Sequence, residues 1–160
     1  MGFTTPDLCD AYPGLVQVVE PVFHAYGAET AFSGPIETIK VFEDNALICQ
    51  ILETAGEGRV LVVDGGGSLR CALVGGRLAY LARTNGWSGL LINGAVRDAA
   101  ELNQVPIGIR ALNTVPRRSE KQGKGERGGV VVFAGATFGR HKYLYADDDG
   151  ILVAERNLLA

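Results

Sequence analysis

Arg97 is joined directly to Asp98, and after Ala99 and Ala100 comes a second acid, Glu101. An arginine offers a planar fork of N–H donors suited to a carboxylate, and an aspartate oxygen is a hard ligand suited to magnesium or manganese. Side by side they would grip a small molecule carrying both a carboxylate and an oxygen able to chelate a metal. A 2-oxo acid is the smallest common metabolite of that kind. If the turn after Arg97 is helical, Asp98 and Glu101 share a face, and Glu101 could hold a metal-bound water or move a proton. A structural reading stands beside this one: Asp98 caps a helix and Glu101 completes a capping box. It accounts for both acids but not for Arg97, since a cation beside the positive end of a helix is disfavoured by about 0.3–1 kcal/mol.

The elements that must position these residues follow from the apolar pattern. Residues 87–94 return an apolar strand to a sheet and deliver Arg97 and Asp98 at its mouth. Residues 59–64, RVLVVD, form a β-branched run that reads as a strand buried on both faces. It opens into Gly65, Gly66 and Gly67, but the third glycine of a dinucleotide fingerprint would fall at Arg70 and no Gly-Lys-Ser/Thr follows. A helix is predicted from Gly75 and Gly76 to Asn85 and Gly86, and its start at Gly75, Gly76, Arg77 and Leu78 offers unpaired N–H groups to an anion.

Elsewhere, Thr5 as cap and Pro6 at the first helical position predict a short N-terminal helix. A turn is expected at Gly34-Pro35, followed by an alternating strand and by an amphipathic helix capped by Asp44 and ending at Gly56. The basic stretch with Arg117, Arg118, Lys121, Lys124 and Arg127 is interrupted by Glu120 and Glu126 and lacks aromatic residues for base stacking, so it reads as a solvated, mobile loop. Asp147, Asp148 and Asp149 before Gly150 read as the turn of a closing hairpin. Strands alternating with helices, then a strand-rich last third, predict a layered α/β sandwich in one domain spanning residues 1–160.

With 160 residues, 47% hydrophobic, the chain can bury roughly two thirds of its unfolded surface in a single core. A net charge of −3 supplies no basic footprint, so direct nucleic-acid binding is disfavoured. Cys9, Cys49 and Cys71 are odd in number and have no CxxC spacing, which suits reduced thiols in the cytoplasm. His24 and His141 are too far apart in sequence to suggest a paired-histidine zinc site. No leader and no apolar run near the ~18 residues of a membrane span is visible, so a soluble cytoplasmic protein is expected.

Several separated segments, VVEPVFHAYG, KVFEDNALI, GRVLVVDGGGSLRCALVGG, GAVRD and YLYADDDGILVA, resemble in the same order the RraA family of regulators of ribonuclease activity and its sister enzymes, the class II 4-hydroxy-4-methyl-2-oxoglutarate aldolases. The enzyme branch is marked by a glycine, twenty residues, Arg-Asp, two residues and an acid, and Gly76, Arg97, Asp98 and Glu101 fill every position. The branch that restrains ribonuclease E typically lacks the aspartate, so this chain joins a regulator-like body to an enzyme-like site.

The resemblance implies an α/β/β/α sandwich assembling as a homotrimer with sites near subunit interfaces. It implies that Gly75, Gly76, Arg77 and Leu78 offer substrate-binding backbone, that Arg97 holds the substrate, and that Asp98 binds a divalent cation, magnesium or manganese. The implied reaction cleaves 4-hydroxy-4-methyl-2-oxoglutarate to two pyruvates, with oxaloacetate decarboxylation as a companion; Arg97, Asp98 and Glu101 are its catalytic candidates. The longer aldolases also bring an acid from a C-terminal extension to a neighbouring site, whereas this sequence stops at Ala160. The alternative implied function is a non-catalytic module that binds and inhibits ribonuclease E.

Overall fold

The computed structural model describes residues 2–160. In chain order the elements are α1 (Thr5–Ala11), β1 (Val16–Val18), β2 (His24–Tyr26), β3 (Phe32–Lys40), α2 (Ala46–Leu52), β4 (Val60–Asp64), β5 (Ala72–Val74), α3 (Gly76–Thr84), β6 (Gly89–Val96), α4 (Ala99–Leu102), β7 (Gly108–Thr114), β8 (Glu126–Arg127), β9 (Val131–Phe133), β10 (Ala136–Phe138), β11 (Tyr143–Asp147) and β12 (Gly150–Ala154). One ten-stranded sheet runs β1-β12-β11-β3-β4-β6-β7-β2, with β5 added to β6 and β8 to β3; β9 and β10 form a separate hairpin.

The strand period of two sorts the side chains into layers. On one face of β4 and β6, Leu61, Val63, Leu90 and Ile92 pack with Ile48 and Ile51 of α2 and Leu78 and Ala82 of α3. On the other face, Val60, Val62 and Leu91 meet Phe133 and Phe138 of the β9–β10 hairpin and Leu144 and Val153 of β11 and β12. Beyond β11 and β12, Tyr145 and Leu152 pack against Leu8 of α1. The order is thus helices, strands, strands, helix, and the α/β/β/α sandwich is observed. All five residues of β4 are buried, as a strand covered on both faces requires.

Several local expectations are corrected. Thr4, not Thr5, caps α1, its side chain accepting from the Asp7 N–H, while the N–H and hydroxyl of Thr5 both donate to the Asp147 carboxylate at 2.7 Å. No turn forms at Gly34-Pro35; β3 runs straight through it. Pro35 precedes Ile36, the first residue paired with β4, so its missing N–H breaks no bond of that ladder, and a Cβ on Gly34 would collide with the Gly58 carbonyl. Helix α2 stops at Leu52 rather than Gly56, and Asn45 holds the cap position, although Asp44 Oδ1 still accepts the Ala46 N–H at 3.0 Å. The acidic hairpin turn is as expected, with Asp147 paired to Gly150.

The basic loop is pinned, not loose. Its backbone is stitched to two other segments, Ala72 N–H to Arg117 O at 2.7 Å and Asn45 N–H to Glu120 O at 3.1 Å. The Asp44 carboxylate, 3% exposed, accepts the N–H groups of Gln122, Gly123 and Lys124. Burial pushes the Asp44 pKa up, but these bonds outweigh it and hold the carboxyl below its ordinary value. Charge composition alone could not reveal a buried acid 78 to 80 residues upstream.

Glu37 is a second buried acid, 2% exposed, held by Arg140 at 2.8 and 3.1 Å and by Arg59 at 3.4 Å. Burial raises its pKa, but the Arg140 and Thr38 hydrogen bonds and the two guanidinium charges bring it below the ordinary 4.5. A lowered folded pKa contributes stability that is present above 4.5 and is lost as pH falls through the folded value. Thermal melts should therefore drop steeply below about pH 4.5, and Glu37→Gln should flatten that drop while lowering stability at neutral pH. A variant with the same acid limb as the parent would show that Glu37 does not carry it.

Candidate active site

β5 and β6 run parallel, with Ala72 beside Ala95 and Val74 beside Val96, so both end on the same side of the sheet. Ligands of open α/β sheets bind beyond such carboxyl ends. The Arg97 N–H donates to Val74 O at 3.0 Å, which sets the segment Gly75–Gly76 against Arg97 and Asp98. A cleft of about 240 Å³ opens there, and Gly75, Arg77, Leu78, Arg97 and Asp98 all line it. Five of the seven candidate residues therefore meet in one hollow. Gly76 and Glu101 do not line it; the Glu101 carboxylate lies against Gly76.

The glycines are explained by what sits over them. A Cβ on Gly75 would lie 2.7 Å from Asp98 Oδ2, and one on Gly76 would fall on the Glu101 carboxylate. The pair is thus a cradle that admits both acids against the start of α3. Asp98 occupies the position before α4 but makes no side-chain cap there; its Oδ2 instead accepts the Gly76 N–H of α3 at 3.0 Å. The capping-box reading is overturned for Asp98, which caps a helix other than the one it precedes. Its backbone is left-handed, φ 63° and ψ 46°, a conformation aspartate tolerates better than most residues and one that concentrates at functional sites.

This arrangement leaves defined capacity for a ligand. Asp98 Oδ1 accepts no hydrogen bond among the described residues, and the N–H groups of Arg77 and Leu78 lie in the first turn of α3 with no partner inside the helix. The Gly76 N–H, counted with them from sequence, is already taken by Asp98. Arg97 makes one long bond, Nη1 to Pro116 O at 3.5 Å, and forms no ion pair among the described residues. Its fork is open to an anion.

Another part of the wall comes from residues that sequence spacing did not connect to the site: Asn45, Arg118, Ser119 and Lys121. Arg118 and Lys121 were visible only as members of a basic loop. With Arg77 and Arg97 the cleft carries four cationic side chains against one acid, Asp98, which favours a small anion. A larger hollow of about 430 Å³ adjoins it through Arg118 and Ser119, but the Glu43 carboxylate there is engaged by Arg70 and Ser68.

No group of three or more His, Cys, Asp or Glu side chains able to hold a metal exists among the described residues. What is present is one carboxylate with a free oxygen, and a second carboxylate across Gly76. That donor set does not suit zinc, but it fits magnesium or manganese, which keep most of their water and take one or two carboxylates from a protein.

Comparison with known proteins identifies the family. The sequence profile of the RraA-like family, described as Aldolase/RraA, matches residues 5–153. The chain belongs to the RraA-like family. A relative from Paraburkholderia phytofirmans, provisionally named 4-hydroxy-4-methyl-2-oxoglutarate aldolase, is 56% identical over 99% of both chains, and one of the same name from Dechloromonas aromatica is 51% identical over 99% of both. Among solved structures, the RNA-processing inhibitor RraA from Thermus thermophilis superposes with a TM-score of 0.94 at 46% identity, covering 98% of this chain and 94% of that one. A Geobacillus kaustophilus protein described as an S-adenosylmethionine: 2-dimethylmenaquinone methyltransferase gives 0.96 at 48% identity, covering 98% of each.

The cradle makes a prediction of its own. Gly76→Ala should push the Glu101 carboxylate aside and lower activity about tenfold, an effect of a size common for coupled neighbours. Glu101→Ala should do the same, and the double variant should be no worse than either single one. Additive losses in that cycle would separate the two residues.

Proposed function

We propose that the protein is a class II, divalent-metal-dependent aldolase that cleaves 4-hydroxy-4-methyl-2-oxoglutarate to two pyruvates, with oxaloacetate decarboxylation as a secondary activity. The observation that carries this reading is an unpaired Arg97 guanidinium beside an Asp98 carboxylate with a free oxygen, both in a cation-rich cleft at the strand ends. The names of relatives about half identical over almost their full length point the same way.

Arg97 clamps the substrate's C1 carboxylate through its fork. Asp98 would hold magnesium or manganese, which when bound supplies Lewis-acid polarisation of the 2-oxo group. The Arg77 and Leu78 N–H groups at the positive end of α3 stabilise the oxygen on which negative charge grows. Loss of the C4 hydroxyl proton lets the C3–C4 bond break, the electron pair passing to C3 to give one pyruvate as its enolate and the other as the free ketone. Protonation of the enolate at C3 completes the second pyruvate. Oxaloacetate reaches the same enolate by losing carbon dioxide. Glu101 lies against Gly76 and does not line the cleft, so it acts as a positioning residue that steers a water or a proton rather than by touching substrate.

The test is pyruvate release from 4-hydroxy-4-methyl-2-oxoglutarate and from oxaloacetate, with magnesium, manganese or a chelator present. Activity with either metal and its loss to the chelator is the expected result; no release with any divalent ion would end the aldolase reading. A homotrimeric cytoplasmic enzyme completes the proposal, and light scattering at three times the chain mass checks the assembly. No helix among the described residues is long and apolar enough to cross a membrane.

A second reading, a module that binds and inhibits ribonuclease E, is favoured by the close superposition on the Thermus RNA-processing inhibitor. Pull-down with the ribonuclease tests it, and the two functions can coexist. The methyltransferase description of the Geobacillus protein has no counterpart in the glycine-rich segment here. The Gly65 and Gly67 N–H groups both donate to Asn93 O and that of Gly66 to Asp64 Oδ1, so none is left to hold the methionine carboxylate of such a cofactor.

A further inference from the structure

With the substrate's C1 carboxylate on Arg97 and its 2-oxo group near Asp98, the C5 carboxylate of a 2-oxoglutarate skeleton is left without a partner on those two residues. It must meet another wall of the cleft. That wall contains Lys121, and the way Lys121 is held differs from that of an ordinary surface lysine. Its Nζ donates to Asn45 Oδ1 at 2.9 Å and approaches Cys49 Sγ at 3.6 Å. The Asn45 amide is itself oriented, because its Nδ2 donates to Leu73 O at 2.9 Å, which leaves Oδ1 for the lysine. Asn45 is buried, and its neighbour Asp44 gathers the three N–H groups that follow Lys121 in the chain. One short segment, Asp44-Asn45, thus fixes both the backbone and the ammonium of a residue 76 positions away.

An ammonium has three donors. One is spent on Asn45 and a second points weakly at a sulfur, so at least one remains for a ligand in the cleft. The lysine rotamer, whose freedom is costly to remove, is already fixed before any ligand arrives.

We propose that Lys121 is the specificity-determining residue for a second, distal carboxylate, so that the cleft selects 2-oxo dicarboxylates over 2-oxo monocarboxylates. The inference rests on the aldolase reading of the same site and deepens it by assigning the far end of the substrate. Arg118, shared with the larger neighbouring hollow, supports the same positive wall but has no comparable anchor.

The test compares binding of two unreactive probes by calorimetry in buffer containing magnesium: 2-oxoglutarate, which has the five-carbon dicarboxylate skeleton without the C4 hydroxyl, and 2-oxopentanoate, which lacks the distal carboxylate. The parent protein is expected to bind 2-oxoglutarate more tightly by about tenfold or more, the size of one charge-assisted hydrogen bond. Lys121→Gln should erase that preference while leaving 2-oxopentanoate affinity unchanged, and Lys121→Arg should restore much of it. The unchanged 2-oxopentanoate affinity shows that the variant is folded. Equal loss for both probes, or no loss for either, overturns the proposal. A parent protein that binds both equally overturns it and leaves the aldolase reading intact, whereas one that binds neither sinks both.

Discussion

Replacing Asp98 with asparagine should lower turnover of 4-hydroxy-4-methyl-2-oxoglutarate on the order of a hundredfold or more, with little change in thermal stability. The size follows from the several kcal/mol that metal polarisation supplies, each 1.36 kcal/mol being tenfold in rate. Asparagine is the informative substitute. It tolerates the left-handed backbone at this position, and its amide oxygen can still accept the Gly76 N–H, so the turn and the start of α3 are kept while the charge is removed. Alanine would add backbone strain and an uncapped α3 to the loss of charge, and its effect could not be apportioned. Titration of the Asp98→Asn protein with manganese should show weakened metal binding alongside the lost rate. If it retains parental, chelator-insensitive turnover, Asp98 has no part in the chemistry.

Arg97→Lys is the second large effect. A lysine keeps the positive charge but presents a point donor in place of the planar fork, so it cannot make two parallel bonds to one carboxylate. Hydrogen bonds involving charged groups contribute about 1.5–3 kcal/mol each, and losing one of a pair should reduce kcat/KM roughly ten- to hundredfold, with most of the change in KM if the clamp acts equally on ground and transition states. The Arg97 side chain makes only the 3.5 Å contact to Pro116 O, so the substitution removes almost nothing from the fold, and the melting temperature should stay within a degree or two. A variant with parental KM for both proposed substrates would place their carboxylates elsewhere.

These two residues were legible because their chemistry and their neighbourhood coincide in sequence. Arg97 and Asp98 end a strand whose apolar run is unmistakable, and α3 is punctuated by Gly75 and Gly76 at one end and Asn85 and Gly86 at the other. The spacing from Gly76 to Glu101 has a physical content that only the structure supplies: the glycine lacks a side chain because a carboxylate lies where it would be. Other features were hidden for identifiable reasons. Gly34-Pro35 looks like a turn to any local rule, and only the position of the β4 ladder shows why a strand tolerates it. The loop bearing Lys121 looks solvated because its composition is polar, while the group that fixes it, Asp44, sits at the other end of a long sequence separation. Asp98 was expected either to cap the helix after it or to serve the site; it caps α3 through Gly76 and keeps an oxygen free, an outcome that local capping patterns do not contain.

One feature of the sheet also governs how the chain reaches this state. β1 finds its partner in β12, Val16 beside Ala154, and Thr5 is tied to Asp147 across 142 positions. The first strand therefore has no mate until β12 has been made, so the sandwich cannot close before Gly150–Ala154 are available. Refolding should accordingly be slow, in the millisecond-to-second range typical of topologies dominated by distant pairings, and truncation before β12 should leave an unpaired edge prone to association.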